Sequence, residues 1–177
     1  DFDFVGDDCD LCANTAIGAT VDVYGCSVDQ CITNPEACNY DDDVEYGENY
    51  PDWAVNENDY EMNSGVTAIV YIDDDLQADT SSVNILAAFG SDGNVRGISS
   101  PAGPIPFGPY QGMNHYQITV YGDNAENGST FTFKYYSAAH DEVFDMDETI
   151  VFTPPAAVGD VMNPLMLNGS TAIDVVL

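Results

Sequence analysis

The chain has 177 residues, 45% of them hydrophobic, with eleven Tyr and eight Phe, and it sets 31 Asp plus Glu against two cations, Arg96 and Lys134, for a formal net charge of -29. That length has room for one ordinary domain with a small appendage, and a composition this apolar and aromatic excludes a wholly disordered acidic chain. The charge argues against nucleic-acid and anionic-membrane partners, which need a cationic surface, and no run approaches the roughly 20 apolar residues of a membrane-inserting helix. The chain starts without Met and without a signal peptide, so it is expected to be a processed or excerpted piece.

The first stretch, DFDFVGDDCDLC at 1 to 12, crowds five aspartates around Cys9 and Cys12, with Phe2 and Phe4 among them. Clustered carboxylates repel one another unless cations neutralise them, and a divalent cation with oxygen ligands suits that need. A solvated acidic surface adapted to salty water is the alternative reading. All five cysteines, Cys9, Cys12, Cys26, Cys31 and Cys38, precede residue 39. Such clustering predicts a disulfide-stapled module in an oxidising compartment, with one thiol left over to stay free or to pair elsewhere. A lone CxxC with no nearby His argues against zinc.

The composition changes near Tyr50-Pro51, where acids, cysteines and turn formers give way to alternating apolar and polar residues. The expected organisation is an irregular arm over 1–50, linked by DDDVEYGENYP to a body over 51–177. Strands are predicted near 53–56, 65–72, 84–90, 94–99, 114–121, 130–137, 143–152 and 171–177, with essentially no helix. In NHYQITVY, Tyr116, Ile118 and Val120 share one face and His115, Gln117 and Thr119 the other; in STFTFKYY, Phe131, Phe133 and Tyr135 oppose Thr130, Thr132 and Lys134. One-sided alternation suits antiparallel sheets with one wet face. Ser91-Asp92-Gly93-Asn94 supplies a hairpin turn between two strands. The fold class expected is mainly β, an antiparallel Ig-like β-sandwich behind the arm. The stretch 99–112, with four prolines and three glycines, is expected to be an exposed loop and not a central strand, with Phe107 and Tyr110 as contact residues.

FDMDETIVF at 144–152 places Phe144, Met146, Ile150 and Phe152 on one face, interrupted by Glu148. An inward carboxylate needs a partner, and Arg96 shares a face with Ile98, so a structural Arg96–Glu148 pair is expected. His115 and His140 are the only histidines; a metal or general-base role for His140 beside Asp141-Glu142 ranks below a plain surface position. No GxSxG, phosphate-binding glycine loop or HExxH occurs, and among so many acids paired carboxylates carry no diagnostic weight. The sequons at Asn127 and Asn168 sit in predicted turns and can accept glycan where the machinery exists.

Two resemblances add to this reading. DFDFVGDDCDLCANT followed by GATVDVYGC resembles a thrombospondin type 3 repeat, which implies calcium held by Asp1, Asp3, Asp7 and Asp10 and disulfides closed by the cysteines that follow. CITNPEACNYDDD at 31–43 resembles a short cysteine repeat of secreted and surface proteins of marine Bacteroidota-like bacteria. The order of motifs from Trp53-Ala-Val-Asn56 through Ile85-Leu-Ala-Ala-Phe89 and Val95-Arg-Gly97 to Asp147-Glu-Thr-Ile-Val-Phe152 is similar to a β-sandwich module recurrent in such proteins. The similarity implies an extracellular or cell-surface setting and carries over no enzymatic activity.

The leading expectation is a non-enzymatic structural protein, a subunit of a cell-surface filament whose partner is another copy of itself. STAIDVVL at 170–177 reads as a strand with Ile173, Val175 and Leu177 on one face, able to complete its own sheet or a neighbour's. Phe2 and Phe4, apolar where the resembling repeat is not, favour a hydrophobic surface on the body or on the next subunit, and a head-to-tail contact that does not close gives a filament. The second expectation is a carbohydrate-binding or adhesin module with Tyr110, Tyr116 and Tyr121 against sugar; a hydrolase with an acid pair is the third.

Overall fold

The computed structural model describes residues 47–171, and the aspartates, cysteines and phenylalanines singled out in 1–38, with Ile173, Val175 and Leu177, lie outside them. The described chain is mainly β. Its strands are β1 (Met62–Ile72), β2 (Asp75–Leu76), β3 (Ile85–Phe89), β4 (Val95–Ser99), β5 (Pro101–Pro104), β6 (Asn114–Gly122), β7 (Thr130–Ser137), β8 (Glu142–Val151) and β9 (Leu165–Gly169), with short 3-10 turns at Glu57–Asp59 and Asn124–Glu126.

Alternation decides which way each strand faces. Val66, Ala68, Val70 and Ile72 of β1, Tyr116, Ile118 and Val120 of β6, Phe131, Phe133 and Tyr135 of β7, and Phe144, Met146 and Ile150 of β8 point into one continuous core with Phe152 and Leu167. Phe131 and Phe152 stack at 4.7 Å with an interplanar angle of 8°. The polar residues between them, such as Gln117, Thr119, Thr130 and Thr132, face outward. His115 departs from this pattern: it is buried because β5 covers it, and its Nδ1 lies 2.6 Å from the Gly103 carbonyl oxygen.

Strand order runs β4-β3-β7-β8-β9-β1-β6-β5, with β2 folded back on β1. All pairings are antiparallel except β1 with β9, which run parallel from Ala68↔Leu165 to Ile72↔Gly169. The two ends of this order, β4 and β5, are separated by Ser100 alone, so one length of chain pairs with β3 along 95–99 and with β6 along 101–104. Between those stretches β4 presses on β6: Ser99 Oγ donates to the Gln117 carbonyl at 3.1 Å, and a Cβ on Gly97 would overlap the Thr119 carbonyl oxygen. The sheet therefore curls nearly closed into a barrel, which leaves few exposed edges.

Two places interrupt the ladder. The β7–β8 register jumps from Thr132↔Thr149 to Lys134↔Asp145, so Met146, Asp147 and Glu148 face Phe133 alone. Across the seam on the other side, β8 and β9 share one register pair, Met146↔Gly169. The bulge swings Glu148 into that seam, where its carboxylate accepts from the Asn168 backbone N–H and side-chain amide, both at 2.7 Å. A side chain thus supplies the acceptor that a neighbouring strand would otherwise offer.

The structure corrects several expectations. Residues 53–56 alternate in burial as a strand would but have no ladder partner; Trp53 instead sets its ring edge-on to Phe89 at 5.5 Å. The expected loop at 99–112 contains the edge strand β5 before it turns away at Ile105, a position where prolines are tolerated. Short β2 and β9 escape the sequence patterns altogether. Arg96 and Glu148 do not pair, because the bulge commits Glu148 to Asn168 and other acids reach Arg96 first.

Candidate functional site

Arg96 is the most heavily engaged side chain among the described residues. It leaves β4 just after the Gly90–Asn94 hairpin turn, in which Gly93 takes φ 81°. Its guanidinium donates to Asp92 Oδ2 at 2.8 Å, to Glu126 Oε1 at 2.9 and 3.3 Å, and to the Tyr60 hydroxyl at 2.8 Å, while the Tyr60 ring lies 4.8 Å beneath it. Only 7% of the Arg96 side chain is exposed. Burial works against its charge, but Glu126 and then Asp92 outweigh that and raise its pKa. For Asp92 burial likewise opposes ionisation, yet the backbone and side-chain bonds from Asn94 and the bond from Arg96 hold its carboxyl below the usual range. The cluster ties together the β3–β4 hairpin, the turn before β7 and the strand-free entry segment. With every donor so oriented, its role is to hold elements in place.

Lys134, the other cation, reaches Asp145 Oδ1 at 2.7 Å on the outside of the sheet. Both positive charges are therefore neutralised within the chain. The acidic triplet Asp73-Asp74-Asp75 makes the β1–β2 turn, with φ of 51° and 68° at the first two, and Asp73 accepts from the Thr171 N–H and hydroxyl. Among the described residues no three His, Cys, Asp or Glu side chains converge as a metal-holding group.

The histidines are placed as follows. His140 lies in the β7–β8 turn with Nδ1 2.9 Å from Ser137 Oγ and its ring edge-on to Phe144. Ser137 is buried, and Asp141 turns instead to the Tyr136 hydroxyl at 2.8 Å and to Asn49. Those bonds, the one from Tyr136 foremost, depress the Asp141 carboxyl, while burial and then Asp141 push the Tyr136 phenol up to about 12. Ser137, His140 and Asp141 are thus neighbours without the nucleophile, base and orienting carboxylate alignment that acyl transfer needs.

The tyrosines separate into two kinds. Tyr116 is fully buried, its hydroxyl donating to that of Tyr135 at 3.3 Å, and burial raises both pKa values, that of Tyr135 to about 12. It is inaccessible to a ligand. Beside it the buried Asn114 donates to the Gln77 and Asp79 carbonyls, while its Oδ1 has no hydrogen-bond partner among the described residues. Tyr121, in contrast, lies at the rim of a cleft of about 430 Å³ lined by Val55, Asn56, Glu57, Asn58, Ile98, Gln117 and Thr119. Its hydroxyl donates to Glu57 Oε2 at 3.0 Å, a bond that raises the Tyr121 pKa, and its ring stacks on Tyr60 at 6.4 Å and 25°. On the other side of β6 a second depression of about 330 Å³ runs between Gly65, Thr67, Gln117, Thr119 and Ala157. Alternation on β6 is the signal that could have found this face, since it placed Gln117 and Thr119 outward.

Asn127 follows the Asn124–Glu126 turn and is exposed, as its sequon needs. Asn168 is on β9 and half-buried against Glu148, not in the turn that its Gly-Ser neighbours suggested. Comparison with protein-family models, with curated proteins and with solved structures finds no match.

Proposed function

We propose that the chain is a non-enzymatic extracellular structural protein, the subunit of a cell-surface filament built head to tail from copies of itself. In this reading the body is an Ig-like sandwich and the arm over 1–50 is closed by disulfides among Cys9, Cys12, Cys26, Cys31 and Cys38. Calcium sits on Asp1, Asp3, Asp7 and Asp10. Phe2, Phe4, Ile173, Val175 and Leu177 make the contacts between subunits.

One observation carries the proposal. The only two cations, Arg96 and Lys134, are both consumed by internal ion pairs, so a net charge of -29 has no counter-charge left within the chain. Copies of such a body repel one another over a Debye length of about 10 Å at 0.1 M salt. They can pack only where external cations neutralise them, which ties assembly to the divalent ion that the acidic arm would recruit. The seam between β8 and β9, closed by one register pair and one carboxylate, is consistent with a body that accepts added strands.

Negative-stain images of the purified chain in calcium and then in chelator test this. Ordered fibres that disperse in chelator are expected, and Phe2→Ser with Phe4→Ser should leave short or no fibres. Monodisperse particles in both conditions would sink the filament.

A further inference from the structure

Gln117 and Thr119 line both depressions described above, one opening toward β4 and the 55–58 segment, the other toward β1 and Ala157. The two are therefore contiguous across the outer face of β6, and each falls within the roughly 300–1,000 Å³ of small-ligand clefts. We propose that this outer face binds a neutral, linear carbohydrate that crosses β6, with one sugar unit on either side of Gln117 and Thr119.

The chemistry of the lining selects that class of ligand. The Gln117 carboxamide and the Thr119 hydroxyl have no hydrogen bond among the described residues, and each can both donate and accept, as the vicinal hydroxyls of a sugar require. Glu57 keeps Oε1 available, because Oε2 is occupied by the Tyr121 hydroxyl. Apolar surface is supplied by Ile98, 39% exposed, and by the Tyr121 ring at the rim, held in place by Tyr60 on the adjoining entry segment. Sugar rings need such a C–H-facing surface beside directed polar groups. The floor of the second depression is left open by Gly65, whose missing side chain would approach Ala157 at 4.0 Å.

Charge excludes the main competitors. Arg96 is buried among its acids and Lys134 belongs to β7, so no cation lines either depression, and phosphorylated, sulfated or uronate ligands meet only a repulsive field. A cationic ligand would be drawn by the overall charge, but the cleft offers it a single half-occupied carboxylate. Gln117 and Thr119 bond any hydroxylated ligand regardless of charge. A polar, amide-lined cleft with so little apolar area is poorly suited to a protein partner, whose interface core would be more apolar.

The site belongs to the monomer and does not rest on filament assembly. The test titrates size-selected monomer with neutral gluco-oligosaccharides of two to six units, α- and β-linked, alongside uronate oligomers and oligolysine, followed by amide NMR shifts. Binding of at least one neutral oligosaccharide with shifts centred on residues 117–121 is expected, strengthening with length to about the second or third unit. Gln117→Ala and Thr119→Ala should each weaken it roughly tenfold, the loss of one or two directed hydrogen bonds, while the outward-facing Thr132→Ala on β7 leaves it unchanged. Both variants are exposed strand positions, and unchanged thermal unfolding confirms that they fold. No neutral binding at about 10 mM, binding indifferent to Gln117 and Thr119, or preferential binding of the uronate or oligolysine probes would each overturn the proposal.

Discussion

At the scale of single residues, Arg96 has the largest structural consequence. Its guanidinium is nearly buried, Glu126 is 16% exposed at the side chain, and the Tyr60 hydroxyl has it as donor. Arg96→Met leaves Glu126 as a half-buried charge without its counter-ion, and a loss of about 3 kcal/mol is expected in urea unfolding. Glu126→Gln, which keeps an acceptor, should cost less, about 1 kcal/mol. A neutral result for Arg96→Met would mean that the cluster contributes only orientation. The buried tyrosines set a limit at high pH. Burial raises Tyr116, Tyr135 and Tyr136, the last two to about 12, so the folded chain keeps phenol protons that the unfolded chain loses near pH 10. Stability from these groups is full below about pH 10 and is lost as pH rises toward about 12. Urea midpoints measured across that interval should fall steadily, and a flat profile would contradict the burial argument. Asp92 and Asp141 work in the other direction: their depressed carboxyls contribute above the ordinary carboxylate range and cease to contribute as pH falls through their folded values.

At the scale of elements, closure depends on two strand meetings of different character. Where β4 crosses β6, backbone approaches backbone because Gly97 has no Cβ, so Gly97→Ala must push the strands apart. A loss of roughly 1–3 kcal/mol is expected, with faster amide exchange along β4. Where β8 meets β9, Glu148 substitutes for a ladder acceptor. Glu148→Ala leaves the Asn168 N–H unbonded, and about 2 kcal/mol of stability together with protection of that amide should be lost. Retained protection at Asn168 would show that β9 is held by β1 alone. The bulge that aims Glu148 was not legible in FDMDETIVF, because the apolar alternation runs from Phe144 to Phe152 whether or not the partner strand keeps register. The arginine's expected partner was misassigned for that reason. Sequence distance also hid Glu126, thirty positions from Arg96 and brought to it by the turn before β7.

At the scale of the whole molecule, repulsion among the acids governs how the chain responds to its solution. With both cations internally paired, raising NaCl from about 10 mM to about 500 mM shortens the Debye length from about 30 Å to a few ångströms and should raise the melting temperature by about 5 °C. A melting temperature that does not rise with salt would show that the acids are already compensated in the fold. Most strands were readable because an antiparallel strand with one wet face writes its period of two into the sequence, as in NHYQITVY and STFTFKYY. β9 was not, since five residues ending in Asn-Gly look like a turn and its parallel partner β1 lies about a hundred residues away.

By itself the sequence determined the β class, the inward and outward faces of the long strands, the Asp-Gly hairpin and the sign and size of the charge. Each of those follows from local period, turn chemistry or a residue count. Tertiary structure alone decided that the sheet curls nearly closed, that β4 and β5 are one length of chain shared by two neighbours, and which acids Arg96 meets. It also decided that Gln117 and Thr119 sit between two depressions. These depend on pairings between distant segments, which residues leave unspecified until closure brings the strands together.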